Sequence, residues 1–437
     1  MSNLTIGFLS VPILLTLIAL RVPIGLALGS VSLVGLIMVR GVKATLGIFG
    51  DLPMEFGASW TLSAVPMFIF MGALAFHTGL TKSLFEAARL WLSRLPGGLA
   101  IATNFASAGF AAASGSSLAT CAAMGRIAIP EMLRRKYDPA LASGCVAAAG
   151  TLGALIPPSI MFVLYGWYTE TSIGALLMAG ILPGLLTAFV YSIMIWGRCM
   201  VWPELGPPAE ENVTWGDRFR ILIEIWPIPL LILGVVGAIY SGLATATEAA
   251  AIGAFLAALI GLARGTLTRK AMGDSIVETL NSTASIFFVA IGALLFTRFF
   301  AFAGVPGFIA EQIALLALNQ LSIILGLTVI YLILGMFLDP LGVLLLTLPV
   351  ILPIFKAMGI DPIWAGVLVV KYLEIGMITP PVGLNVYVVK GVVGDTIALP
   401  TIFKGVLWFL AAEVAIMTLL IAFPSISTFL PNQLLGG

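Results

Sequence analysis

The chain is poor in charge. Only 9% of its 437 residues are Asp, Glu, Lys or Arg, whereas 60% are hydrophobic and the mean hydropathy is +1.13. Soluble domains carry roughly a quarter charged residues, so this balance belongs to a polytopic membrane protein. A net charge of +1 leaves no basic footprint for nucleic acid. Histidine occurs once, as His77, and the three cysteines Cys121, Cys145 and Cys199 are scattered. That supply offers no zinc, haem or iron–sulfur spacing, and an odd cysteine count on apolar segments fits small core residues better than disulfides. No nucleophile–base pair, phosphate loop or dinucleotide fingerprint is present, so neither covalent catalysis nor ATP drive is supported. A cleavable-looking signal is missing too: residues 4–20 are apolar, but Arg21-Val-Pro leads straight into another apolar run.

Membrane-length apolar sequence is abundant. Runs near 4–20, 22–40, 60–79, 139–169, 172–197, 222–241, 245–263, 281–301, 361–393 and 402–423 are long enough to span. The stretches 97–133 and 319–357 are apolar but carry Gly, Ser and Pro near their middles, and each reads as a re-entrant helical hairpin. Segments 42–56 and 266–280 are too polar to span and read as amphipathic arms along the interfaces. One long polar stretch, 201–220, reads as a linker between a first half (1–200) and a second (221–437).

The two halves share a pattern. Pro130, Asp138-Pro139, Gly153 and Pro157-Pro158 recur as Pro353, Asp361-Pro362, Gly376 and Pro380-Pro381, every pair 223 residues apart. Pro66 to Gly72 likewise aligns with Ile286 to Gly292, and Gly29 with Gly253. A Pro-Pro step removes two backbone donors and disfavours helix at the residue before it. In lipid, the freed carbonyls are tolerable only against protein, water or an ion. Paired interrupted helices in matching halves point to the binding site of a secondary transporter. An odd number of crossings separates aligned points, which puts the halves in opposite orientations. Arg126, Arg134, Arg135 and Lys136 at the base of the first hairpin, against Lys356 alone in the second, place the first base in the cytoplasm and both termini outside. Arg40 and Lys43 conflict with that orientation.

The chemistry concentrates at hairpin tips and helix breaks. Ser114-Gly115-Ser116-Ser117 supplies hydroxyls, carbonyls and a tight reversal, facing Gly153 to Ser159. Neutral oxygens converging there suit sodium, a hard cation; small residues for close helix packing are the plainer reading. The second tip, Leu334 to Pro340, faces the break from Gly376 to Asn385. Asp339 either supports a cation or caps the helix that starts at Pro340. Asn385 either touches substrate or caps a resumed helix. Arg298 either holds a carboxylate or snorkels to the interface. With Ser116 and Ser159 these three residues form the candidate substrate contacts. Lys371 and Glu374, three apart on one segment, read as a mutual ion pair. His77 reads as interfacial, and Glu248 as a helix cap.

Taken in order, Val65 to Gly72, Ser114 to Ser117, Ala128 to Met132, Gly150 to Ser159, Thr245 to Ala249 and Thr379 to Asn385 resemble the large, DctM-type membrane subunit of tripartite ATP-independent periplasmic (TRAP) transporters. The likeness spans essentially the whole chain, with Ala246 departing from the family's usual Thr-Pro-Thr-Glu. It implies an all-α, inverted-repeat, elevator-type transporter with two re-entrant hairpins and two broken helices, not an enzyme. It implies sodium-coupled uptake of an organic acid anion across the bacterial inner membrane, with a periplasmic substrate-binding protein and a small four-helix membrane subunit as partners. Carried over by motif, one sodium site would use Ser114, Ser117, Gly153, Ile156 and Pro157. The other would use Gly335, Gly376 and Thr379. A stand-alone sodium–carboxylate symporter of similar architecture is the competing expectation.

Overall fold

The computed structural model describes residues 2–208, 214–315 and 319–435, and among them every regular element is helical. The first half runs α1 (Asn3–Ala19), α2 (Ile24–Arg40), α3 (Val42–Gly57), α4 (Ala64–His77), α5 (Leu80–Leu92), α6 (Gly98–Ser114), α7 (Ser117–Arg134), α8 (Pro139–Gly150), α9 (Ile160–Thr169) and α10 (Ile173–Val201). The second runs α11 (Trp215–Glu224), α12 (Pro227–Ile232), α13 (Ala238–Tyr240), α14 (Ala246–Ala263), α15 (Arg269–Ala303) and α16 (Val305–Leu315). It continues with α17 (Gln320–Phe337), α18 (Pro340–Ala357), α19 (Pro362–Gly376), α20 (Leu384–Val393), α21 (Leu399–Ala422) and α22 (Ser425–Leu435). Eight helical stretches among the described residues are long and apolar enough to cross a bilayer.

The recurring Asp-Pro steps are helix starts. Asp138 accepts the Leu141 N–H at 2.9 Å and Asp361 accepts those of Ile363 and Trp364 at 2.7 and 3.0 Å, with proline at the first helical position in both. The proline there loses nothing, because its missing N–H would be unpaired anyway. Some twenty residues on, Pro157-Pro158 and Pro380-Pro381, both cis, interrupt the chain. α8 and α9 hold 12 and 10 residues, about 15–18 Å each at ~1.5 Å per residue, so neither alone crosses a ~30 Å hydrocarbon core. Only the two together, joined at the Pro-Pro step, approach the length of a span.

Three expectations change. The span 281–301 and residues 269–280 of the arm 266–280 belong to one uninterrupted helix, α15, of 35 residues. No proline breaks it, and the buried hydroxyls of Ser275 and Thr279 are satisfied within the helix by the carbonyls of Ala271 and Ser275. α5 was not foreseen; its polar face hid a helix that packs on α6 and α11. Residues 215–220 of the expected linker belong to α11, started by a capping box between Thr214 and Asp217, while 209–213 lie outside the described residues. Just before them, Gly206 and Leu205 accept the Gly97 and Asp138 N–H groups at 2.8 and 3.0 Å, fastening this segment to hairpin α6–α7.

Helix pairs approach through glycine. α2 packs on α15 and α4 on α14, so each first-half helix meets a second-half one. A Cβ on Gly292 would lie 2.5 Å from the Gly25 oxygen. Between α8 and α21 a Cβ on Gly405 would stand 1.9 Å from the Ala140 oxygen, in a contact only backbone can make. Gly405→Ala is therefore expected to destabilise the chain by about 1–3 kcal/mol through overpacking, while Gly47→Ala, in a helix with open space, is neutral or mildly stabilising. Thermal unfolding of both variants in detergent checks this, and equal melting temperatures would refute it.

Candidate functional site: two tips against two breaks

Each hairpin tip closes on a helix break. α6 ends at Ser114, Gly115 reverses the chain at φ +62°, and Ser116 caps α7 by accepting the Ala119 N–H at 3.4 Å. A side chain at Gly115 would run into the Pro158 carbonyl at 2.6 Å, and one at Gly153 would meet the Ser116 carbonyl at 2.5 Å. The Ile160 N–H, first of α9, reaches the Gly115 carbonyl at 3.4 Å. In the second half a Cβ on Gly376 would stand 2.7 Å from the Gly335 Cα. Gly335 lies within the last turn of α17 rather than in an unwound tip; the interruption is only Leu338-Asp339. Both pairs thus meet backbone on backbone.

The breaks strand carbonyls. Among the described residues no backbone N–H donates to the oxygens of Gly153, Leu155, Ile156 or Pro157. The same holds for Gly335 at the second tip and for Ile378, Thr379, Pro380, Pro381 and Val382 at the second break, whereas the Gly376 oxygen accepts the Thr379 N–H at 3.1 Å. Unpaired carbonyls at bilayer depth are expensive unless something polar meets them. The donor set is entirely oxygen, and among the described residues no His, Cys, Asp and Glu cluster could hold a transition metal. The hydroxyl of Thr379 is spent on the Ile375 carbonyl at 2.6 Å, leaving its backbone oxygen. Ser114 pairs with Thr120 at 2.9 Å, and Ser117 donates to Glu374 Oε2 at 2.6 Å.

Two adjoining cavities lie between hairpin α6–α7 and α15. One, of about 280 Å³, is lined by Ser114, Ser116, Arg126, His77 and Glu278. The other, of about 480 Å³, is lined by Ser116, Ser117, Asp339, Glu374 and Ser285. Ser116, Glu278 and Ser282 line both. Their ends differ in charge: Arg126, which makes no ion pair among the described residues, lines only the first, and Asp339 and Glu374 only the second. His77 Nε2 meets Glu278 at 2.8 Å, joining α4 to α15 across the mouth of the first.

The other candidate residues separate. Ser159 is buried, caps α9 and donates to the Ala154 carbonyl at 2.5 Å; it lines neither cavity. Asn385 is buried and donates to the Ala147 carbonyl at 3.0 Å, tying the second broken helix to the first. Arg298 is exposed on α15, away from both cavities. Asp339 does cap α18, accepting the Gly342 N–H at 2.9 Å, and also lines the larger cavity. Glu248 completes a capping box with Thr245. The expected Lys371–Glu374 pair does not form: Lys371 Nζ sits 2.7 Å from Glu413 Oε1 and 3.1 Å from Thr187 Oγ1, and Tyr191 donates to the same Glu413 oxygen. Glu278 escaped the sequence reading because its helix was divided there, although Glu278, Ser282 and Ser285 recur at helical spacing on one face.

Helical spans, paired interruptions and polar cavities at their junction define a multi-pass membrane transporter. Residues 11–426 match the family described as "Tripartite ATP-independent periplasmic transporter, DctM component", and the chain belongs to it. Among its relatives, the C4-dicarboxylate TRAP transporter large permease protein DctM of Pseudomonas aeruginosa is 36% identical over 381 residues, covering 87% of this chain and 88% of that protein. The sialic acid TRAP transporter large permease protein SiaM of Vibrio cholerae is 33% identical over 416 residues, covering 95% and 96%. In fold the chain is similar to the YdaH transporter of Alcanivorax borkumensis, with a TM-score of 0.65 at 15% identity over 89% of this chain and 90% of that one. The family is one of transporter permeases, not enzymes.

Lys371→Met strands the Glu413 carboxylate in the interior and is expected to cost about 3–5 kcal/mol, whereas Lys371→Met with Glu413→Gln, which keeps an acceptor for Tyr191, recovers most of the loss. Thermal unfolding in detergent reads both, and a double variant no better than the single one would contradict the pairing.

Proposed function

We propose that this chain is the large membrane subunit of a sodium-coupled, binding-protein-dependent importer of an organic acid anion. What carries the reading is the pairing of two hairpin tips with two helix breaks that strand carbonyls, beside a cavity lined by Ser114 and Ser116 of the first tip together with Arg126. Ser114, Ser117, Gly153, Ile156 and Pro157 would hold one sodium ion, and Gly335, Gly376 and Thr379 the other. Bound sodium relieves the unpaired oxygens and adds positive charge beside an anion. The N-terminus of α7 adds partial positive charge at Ser116. The substrate's carboxylate lies toward Arg126, in the smaller cavity, rather than toward Asp339.

Transport follows by movement of the tips and breaks, as one body, against the α2–α15 and α4–α14 pairs. Both hairpins enter and leave on one side, from opposite faces of a bacterial inner membrane, with both termini periplasmic. Arg40, on the less expected side, is accommodated 4.2 Å over the Phe302 ring. A small four-helix membrane subunit enlarges the scaffold, and a periplasmic binding protein delivers the substrate.

Reconstitution into vesicles with both partners, over a panel of C4-dicarboxylates, sialic acid and ectoine, tests this. Uptake is expected only with an inward sodium gradient and with the binding protein present. Equal uptake on a potassium gradient would remove sodium coupling, and uptake without the binding protein would make the chain a stand-alone symporter. Arg126→Gln should raise KM for an anionic substrate about tenfold, the worth of one charge-assisted hydrogen bond, with little change in sodium dependence. An unchanged KM would place the anion elsewhere.

A further inference from the structure

Three charged side chains are buried inside the described part of the chain: Lys371 and Glu374 at 0% exposure and Glu413 at 2%. Two of them compensate one another, since Lys371 Nζ reaches Glu413 at 2.7 Å and spends a further proton on Thr187. Glu374 has no such partner. It stands one turn after Lys371 on α19, yet no basic group lies within ion-pair distance of it among the described residues. Its Oε2 accepts the Ser117 hydroxyl proton at 2.6 Å, and its Oε1 is buried with no hydrogen-bond partner at all. A carboxylate so placed, with one hydrogen bond and no countercharge, is costly in a membrane interior.

The surroundings of Glu374 deepen the deficit. It lines the 480 Å³ cavity together with Gly115, Ser117, Ala154 and Met377, and the charged groups of that lining are Glu278, Asp339 and Glu374, with no Lys, Arg or His. Ser117 directs its O–H at Glu374, so its oxygen lone pairs are free to serve as ligands. Gly153 brings the first break against the same residue, its absent Cβ lying 2.8 Å from the Ser117 N, and the Gly153 carbonyl has no backbone donor.

We propose that Glu374 and Ser117 together hold a hard monovalent cation at a site joining hairpin α6–α7 of the first half to broken helix α19–α20 of the second. One buried carboxylate balances one positive charge, whereas the several close acidic ligands that a divalent ion favours are not gathered around Glu374 among the described residues. The inference rests on the sodium-coupled reading above and adds to it a fixed negative charge shared between the halves. Ion release would leave the Glu374 charge uncompensated beside Ser117, so ion occupancy sets the electrostatic cost of this contact between the first tip and the second broken helix. Coupling between ion and movement then has a local electrostatic cause.

Sodium-dependent thermal stabilisation of the full chain, purified with its small membrane subunit, is the measurement, with potassium as the balancing ion. Glu374→Gln keeps an acceptor for Ser117 but removes the charge. It should raise the sodium half-saturation about tenfold or more, a modest share of what one unit charge about 4 Å away delivers at an effective dielectric near 20. Its melting temperature in potassium should not fall. A half-saturation equal to that of the wild type would overturn the proposal and leave Glu374 as a structural acceptor. Should Glu374→Gln not fold, Glu374→Asp retains the charge one methylene further back and is expected to raise the half-saturation about threefold; no change there overturns the proposal equally. A wild-type chain that sodium does not stabilise, together with sodium-independent uptake, would instead sink the underlying sodium reading.

Discussion

The fold answers to one constraint: a peptide group inside hydrocarbon must find a partner within the protein. Helices α8, α9, α19 and α20 each satisfy their own ladders, but their junctions cannot, because cis Pro157-Pro158 and Pro380-Pro381 supply no donors. The hairpin tips are the response. Gly115 and Gly335 come to van der Waals contact with the breaks, and Gly153 and Gly376 clear the space that lets them do so. Each junction is thereby packed against its tip, while its remaining oxygens have no backbone donor among the described residues. Such a place is stable only when those oxygens have company, which is the physical opening for an ion.

Much of this was legible in the sequence because its signals are local. Asp-Pro marks a capped helix start, Gly-Ser a reversal and Pro-Pro an interruption, and their common spacing announced two copies before any contact was known. What escaped depends on residues far apart in the chain. Lys371 and Glu374 looked like partners because they share a helix, but Lys371 turns to Glu413, 42 residues on, and Glu374 to Ser117, 257 residues back. Asn385 looked available to a ligand, yet it spends its amide on Ala147, 238 residues away. α15 escaped for a different reason: polarity suggested a boundary near residue 280, whereas backbone continuity needs only the absence of a breaker, and no proline interrupts 269–303. Pattern reasoning located the tips and breaks; it had no means of pairing charges between them.

Charge is sparse enough here that each buried instance organises its neighbourhood. The Lys371–Glu413–Tyr191 cluster ties α19 to α21 and α10, and is internally compensated. The two cavities at the first tip are not: one ends in Arg126 and the other in Asp339 and Glu374. An anionic solute and a cation entering together would find complementary ends separated by the Ser116 rim common to both. Neither would gain as much alone, since each ion reduces the repulsion felt by the other at short range and low effective dielectric. On the sodium-coupled reading proposed above, coupling would arise from this placement, without any covalent step.

The same placement bears on how the halves act together. A site confined to one tip and its own break would let the two repeats bind ions independently. Ser117 and Asn385 remove that independence, one reaching the carboxylate of α19 and the other anchoring α20 to the end of α8. Hairpin α6–α7 and α8 of the first half are therefore each hydrogen-bonded to the broken helix of the second, Ser117 to Glu374 and Asn385 to Ala147. On the proposed elevator reading, motion of these pieces as one unit keeps those hydrogen bonds, whereas separating them would expose buried polar atoms.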